Sequence, residues 1–169
     1  MRNEKLKSLY KDGKQFLMLM AVIFLLLKVF FVLIFVPTGS MKPTIKEKSF
    51  LIGWRLSYLL TDPIPERGDI IVFNHEEYTE RLVKRVIGIP GDDITVLDGA
   101  VFINGEKYDE PYLAEMDLGL HDGQFKVPEG KLFVMGDNRN YSTDSRCWNN
   151  PFVDVESVYA KVILRLNMI

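Results

Sequence analysis

A serine and a lysine are the residues of this chain whose setting suits covalent chemistry. Ser40 lies in Val36-Pro37-Thr38-Gly39-Ser40-Met41-Lys42-Pro43-Thr44. The prolines resist helix on both sides and the glycine lets another backbone come close, so a small hydroxyl is presented on an extended segment. A stiff surface loop has the same composition. A nucleophilic hydroxyl needs a base. The two histidines, His75 and His121, fall in polar loop sequence and read as solvated, and His75-Glu76-Glu77-Tyr78-Thr79 has threonine where a zinc motif needs its second histidine. A histidine triad stays open, because its members need not be near in sequence.

The other candidate base is a lysine. In Leu82-Val83-Lys84-Arg85-Val86-Ile87 the strand period sets Lys84 on the face of Leu82 and Val86 and turns Arg85 to the other. Of the two cations only lysine can lose its proton in a protein. At its ordinary pKa about one lysine in 2,500 is neutral at pH 7, so a working base here must be buried where the charged form is disfavoured. An edge-strand lysine that discourages aggregation leaves the same trace. A third stretch, Gly136-Asp137-Asn138-Arg139-Asn140-Tyr141-Ser142-Thr143-Asp144-Ser145-Arg146, sets turn formers and charges behind the apolar Leu132-Phe133-Val134-Met135, as a surface turn would.

These residues must be positioned by a small body. The chain has 169 residues, 47% of them hydrophobic, which allows one modest core. Phe16 to Val36 is 21 residues interrupted by one charge, Lys28, and at about 1.5 Å per residue it covers roughly 30 Å, the thickness of a bilayer core. It lacks the short apolar core and Ala-x-Ala-like end of a cleaved leader, so a retained anchor is expected over 16–36, with Lys28 snorkelling. Five basic residues (Arg2, Lys5, Lys7, Lys11, Lys14) against two acidic ones precede it, which places residues 1–15 in the cytoplasm and 37–169 outside. Ser40 then lies within about 14 Å of the end of the run. Residues 37–169 carry 15 Lys/Arg against 21 Asp/Glu, a poor composition for binding nucleic acid. Cys147 is the only cysteine, so no internal disulfide supports the fold.

The body reads as mainly antiparallel β. Strands are expected at 49–54, 68–73, 81–89, 124–127 and 131–135, with a Pro-rich loop over 61–67 and a closing strand pair or one bent strand over 155–166. The sharpest local signal is 94–97, 100–103 and 106–108, joined by Asp98-Gly99 and Asn104-Gly105, two hairpin turns. They belong to a hairpin-rich subdomain over roughly 92–130. Residues 109–123, acidic and irregular, read as a surface excursion.

Taken together and in order, the apolar anchor, Gly39-Ser40-Met41-Lys42-Pro43-Thr44, Arg67-Gly68-Asp69-Ile70-Ile71-Val72-Phe73, Val83-Lys84-Arg85-Val86-Ile87-Gly88-Ile89-Pro90-Gly91-Asp92, and Gly136-Asp137-Asn138-Arg139 with Ser142-Thr143-Asp144-Ser145-Arg146 resemble the bacterial type I signal peptidases. These are membrane-anchored serine proteases that remove signal peptides from exported preproteins, and this chain is similar to their short, single-anchor form. The resemblance implies Ser40 as nucleophile, Lys84 as general base, Thr38 as an oxyanion donor beside the Ser40 N–H, Ser142 as the hydroxyl that orients the lysine, and Asp144 with Arg146 as a supporting ion pair. It implies no metal and no organic cofactor, a body with an apolar surface that meets the membrane, and apolar substrate pockets for which Val36, Met41 and Val83 are candidates. Asn140-Tyr141, Cys147-Trp148-Asn149-Asn150-Pro151 and Ala160 depart from the family pattern, near the rim and the last strands. A non-catalytic or single-client accessory factor for export of surface fibres or pilins is the rival expectation; the non-catalytic form has no need to keep both Ser40 and Lys84, and a peptidase with one dedicated client would keep them.

Overall fold

The computed structural model describes residues 2–60, 64–115 and 117–166, with side chains described outside 2–9 and 59–60. The apolar run divides in two. A helix, α1, spans Arg2–Phe30, and its last six-residue continuation, Phe31–Val36, is strand β1. Phe-Val-Leu-Ile-Phe-Val is aromatic and β-branched, a composition that fits a pleated surface better than a helix. It pairs along its whole length with β2, Ser49–Trp54, from Phe31↔Trp54 to Val36↔Ser49. The helical part therefore ends ten residues before Ser40 rather than four, with a strand between. Among the described residues, Tyr10–Phe30 is the one helical stretch long and apolar enough to cross a membrane.

A short helix α2 (Ser57–Leu60) leads on; the proline-rich loop expected at 61–67 lies partly outside the described residues. Then come β3 (Ile70–Phe73), β4 (Leu82–Gly88), β5 (Asp93–Leu97), β6 (Ala100–Ile103), β7 (Glu106–Lys107), β8 (Gly123–Lys126), β9 (Lys131–Met135), β10 (Val153–Asp154) and β11 (Val158–Leu166). Seven strands form one antiparallel sheet in the order β1-β2-β11-β3-β4-β9-β10, and four form a second, β7-β6-β5-β8. The closing segment is one strand, its register against β2 shifting between Val162 and Leu164. Both hairpin turns carry positive φ at each central residue, Asp98 and Gly99, Asn104 and Gly105, as a two-residue turn between twisted strands requires.

Three apolar clusters hold this together. Ile87, Phe133 and Met135 of the large sheet pack against Ile94, Val96, Val101 and Ile103 of the small one. Phe73, Val86, Leu132 and Val134 surround Trp148. Met41, Ile45, Val36 and Leu51 form the third, beneath the loop that joins β1 to β2. Ala160 is fully buried beside Gly53, where the built Cβ of a larger residue would come within 2.9 Å of its own. Beyond α1, exposed apolar side chains continue on β1 (Leu33, Phe35) and β11 (Ile163, Leu164, Leu166), and the register through β2 puts Leu33 in line with Leu164 and Phe35 in line with Leu166 on one face of the sheet.

Candidate active site

Ser40 sits on the twelve-residue β1–β2 loop, which the Lys48 N–H closes by bonding to the Val36 carbonyl at 2.7 Å. Met41 and Ile45, both fully buried, pin the loop to the core, and Ile45 N–H donates to Met41 O at 2.8 Å. Met41 was a candidate pocket residue; the structure instead spends its side chain on anchoring, because its neighbours Val36, Ile45 and Leu51 enclose it. From the far side, Asn138 N–H donates to Ser40 O and Asn138 Nδ2 to Gly39 O, each at 3.0 Å. The serine is thus held from two separate elements.

Strand β4 delivers Lys84, opposite Ile71 of β3. Its side chain is 4% exposed, and Nζ donates to Ser142 Oγ at 2.9 Å. Ser142 Oγ in turn donates to Asp144 Oδ2 at 2.6 Å, so the hydroxyl's proton is committed to the carboxylate and its lone pairs face the amine. Burial disfavours the ammonium, Asp144 opposes that effect and Arg146 reinforces it, leaving the Lys84 pKa lowered to about 8. About one molecule in ten then carries a neutral amine at pH 7. Asp144 is fully buried; desolvation alone would raise its pKa, but hydrogen bonds from Arg146, Gly136 N–H and Ser142 hold it below the ordinary carboxylate range.

Gly136 is where the pieces meet. A Cβ there would stand 2.2 Å from Ser142 Oγ and 2.5 Å from Ser40 O, so only glycine lets the serine loop and the lysine's partner approach. Next to it, Arg85 forks onto Asp137 at 2.8 and 2.6 Å and also donates to Gly68 O. The stretch 136–146 that reads as a surface turn is mostly interior, with Asp137, Arg139, Ser142, Asp144, Ser145 and Arg146 all buried.

Ser40 and Lys84 both line a cleft of about 550 Å³, walled in part by Phe35, Val36, Leu82 and Val83 and rimmed by Thr38. Of the candidate pocket residues, Val36 and Val83 are there. His75 is not among the cleft residues, nor is it solvated as expected: it is buried, with its ring centroid 4.1 Å from that of Trp148. Glu77 N–H donates to its Nδ1, so the ring proton sits on Nε2, facing Asn150 O. Partners already occupy both nitrogens, and His121 is exposed.

Segment 109–123 is largely exposed and irregular, as a surface excursion, but two of its carboxylates turn inward. Glu110 accepts from both terminal nitrogens of Arg139, and Asp117, buried, accepts from Arg146 Nη1 at 2.8 Å. These two carboxylates are neutralised in place, while Asp109, Glu115 and Asp122 stay exposed as a surface excursion would have them. Nothing in the spacing marks the two inward carboxylates; the nearby Tyr108 and Tyr112 are the one sequence hint that the segment has something to pack against.

A mainly β body that holds a serine and a lowered-pKa lysine in one apolar cleft defines a class of hydrolase-like sites, and comparison with known proteins narrows it. The model of the family described as signal peptidase, peptidase S26, matches residues 9–167. The chain belongs to that family. It is 39% identical over 142 residues to signal peptidase I P of Bacillus subtilis subsp. natto, covering 79% of this chain and 76% of that one. It is also 39% identical over 137 residues to a probable signal peptidase I-2 of Synechocystis, covering 78% and 61%. The chain thus spans less than two thirds of the length of the Synechocystis relative, and 64% of that of a signal peptidase I from Pseudomonas fluorescens. The crystal structure of a signal peptidase I from Enterococcus faecalis V583 superposes with a TM-score of 0.52 at 36% identity, covering 59% of this chain and 97% of that one.

Proposed function

We propose that this protein is a membrane-bound endopeptidase that removes signal peptides from exported preproteins, with Ser40 as nucleophile and Lys84 as general base. The observation that carries the reading is the buried Lys84 amine, which shares a cleft with Ser40 and is held by Ser142 at 2.9 Å. Neutral Lys84 takes the Ser40 hydroxyl proton as Oγ adds to the scissile carbonyl carbon. The Ser40 N–H and the Thr38 hydroxyl receive the oxyanion. The ammonium then protonates the leaving amine, which departs as the mature protein's new N-terminus, and leaves the signal peptide as an ester on Ser40. Water, deprotonated by the same amine, hydrolyses that ester and returns the proton to Ser40. Ser142 orients the lysine throughout, and Asp144 with Arg146 fixes Ser142.

The substrate is an extended peptide whose apolar stretch precedes the cut. Val36 and Val83 offer it the apolar lining that small side chains such as alanine need, and an extended chain can add to a free strand edge. Purified in detergent, the full chain should cleave a preprotein at its signal junction, and Ser40→Ala should not. No cleavage by the wild type would remove the reading.

Residues 1–15 lie in the cytoplasm and 37–169 outside, in this proposal, with the bilayer around the helical part of the apolar run and against the exposed apolar side chains of β1 and β11. Protease added to intact spheroplasts is expected to degrade the body and spare the first residues. A fully protected body would reverse the orientation.

A further inference from the structure

We propose that Asp117 and Glu110, carried on the segment between β7 and β8, are positioning residues for Lys84: they hold Arg146 and Arg139 so that Asp144 stays directed at Ser142. The inference rests on the reading of Lys84 as the base. It begins from how the Arg146 guanidinium is shared. Nε donates to Asp144 Oδ1 at 2.9 Å, Nη1 to Asp117 Oδ2 at 2.8 Å, and Nη2 to Arg139 O at 2.8 Å and to Asp144 Oδ2 at 3.1 Å. Asp117 therefore takes one whole arm of the fork, at a site where both side chains are almost completely buried.

Arg139 is held in the same way. Glu110 receives its two terminal nitrogens, and Nε donates to Gly136 O at 3.1 Å, the residue that separates Ser40 O from Ser142 Oγ. The segment grips the stretch 136–146 at one further point, where Leu118 N–H donates to Asn140 Oδ1 at 3.0 Å, and it reaches β4 as well: the Tyr112 ring centroid lies 3.9 Å from the Arg85 guanidinium while its hydroxyl donates to Glu110. The bonds to Arg139, Asn140 and Arg146 converge on the loop that carries Ser142 and Asp144, and each is made by a residue of the segment outside the large sheet.

The consequence follows from hydrogen-bond supply. Without Asp117, Nη1 of a buried arginine has no acceptor, and the cation turns its full charge on Asp144, the nearest remaining carboxylate. Asp144 Oδ2 now serves Ser142, Gly136 N–H and Arg146 together. Drawing it toward Arg146 loosens Ser142 and with it the acceptor of Lys84. The charged groups that act on Lys84 are Asp144, Arg146 and Asp137; Arg139 reaches it through Asp144. Loss of either brace carboxylate leaves one more uncompensated positive charge in this set and a poorer partner for the ammonium. Both changes favour the neutral amine, and both misplace it.

The test reads Lys84 directly. In the full chain, labelled at lysine Cε with ¹³C and solubilised in detergent, the Lys84 resonance is assigned by its loss in Lys84→Met, and its titration midpoint is compared among wild type, Asp117→Asn, Asp117→Glu and Glu110→Gln. The midpoint is expected to move down in Asp117→Asn and Glu110→Gln. Preprotein kcat is expected to fall about 10- to 100-fold in both with KM little changed, since the cleft walls are untouched. Asp117→Glu, which restores the charge, should recover most of both. A midpoint at the wild-type position, with losses confined to Tm or folded fraction, would reduce the segment to structural glue and overturn the proposal. If Asp117→Asn does not fold, Glu110→Gln decides alone. Should the wild type fail to cleave any preprotein, the proposed function falls, while the titration still settles the brace.

Discussion

Lys84→Arg should abolish preprotein cleavage although it keeps a cation of similar reach in the same strand. Arginine cannot lose its proton in a protein, so it offers Ser40 no lone pair. Lys84→His offers one on a shorter, differently shaped side chain that cannot reach both Ser142 and the serine. Each variant, like Ser40→Ala, is expected to lose at least about 10³-fold in turnover, and the Ser40→Ala/Lys84→Arg double variant should be little worse than either single, because nucleophile and base act as one unit. His121→Ala should remain active. The wild-type profile supplies the second half of the test. A base whose pKa has been lowered to about 8 is mostly protonated below that value, so kcat/KM should climb with pH through about 8 and level off above it. Substantial turnover in Lys84→Arg, or a profile that rises near pH 6 to 7 as an imidazole would make it, would replace the dyad with a histidine.

Much of this site shows in the sequence, and the limits have physical causes. Asp98-Gly99 and Asn104-Gly105 announce their hairpins because only a few residue types tolerate the positive φ that such turns need, so the signal is local. Strand β4 is legible for a similar reason, since its apolar residues are local, but an edge-strand lysine leaves the same trace as a buried one, and only the order of all the motifs separates them. The division of the apolar run at Phe30 is harder. Hydropathy is blind to the difference between a helix in lipid and a strand at a sheet edge, and only the aromatic and β-branched content of Phe31–Val36 tells them apart. His75, Glu110 and Asp117 escape the sequence for another reason. Polar residues in irregular sequence look solvated until their partners are known, and those partners are far along the chain: Trp148 for His75, Arg146 for Asp117, Arg139 for Glu110. Tertiary contact supplies what local pattern cannot.

The support of the lysine should also be the most expensive place in the body to cut. Asp144 accepts from Ser142 Oγ, from Gly136 N–H, and from Nε and Nη2 of Arg146, with no exposure to solvent that could substitute for any of them. Asp144→Ala removes every one of these acceptors at once and leaves Arg146 with Asp117 as its remaining carboxylate. Breaking one side of a buried pair costs about 3–5 kcal/mol, which for a chain of this size lowers Tm by roughly 10 °C. Turnover should fall as well, since Ser142 loses the group that fixes its proton. The pH dependence has a definite sign: the folded state holds the Asp144 pKa below its unfolded value, so its contribution is complete above the ordinary carboxylate range and is lost as pH falls through the depressed value. Wild type and Asp144→Ala should therefore differ most in Tm near neutral pH and converge in acid. Asp144→Asn separates the two roles of the side chain. It preserves the shape and one acceptor but removes the charge opposite Arg146, and it should recover part of the stability without recovering the rate. Equal Tm values for wild type and Asp144→Ala at neutral pH would mean that the ion pair does not hold the site together, and that Ser142 takes its orientation from elsewhere.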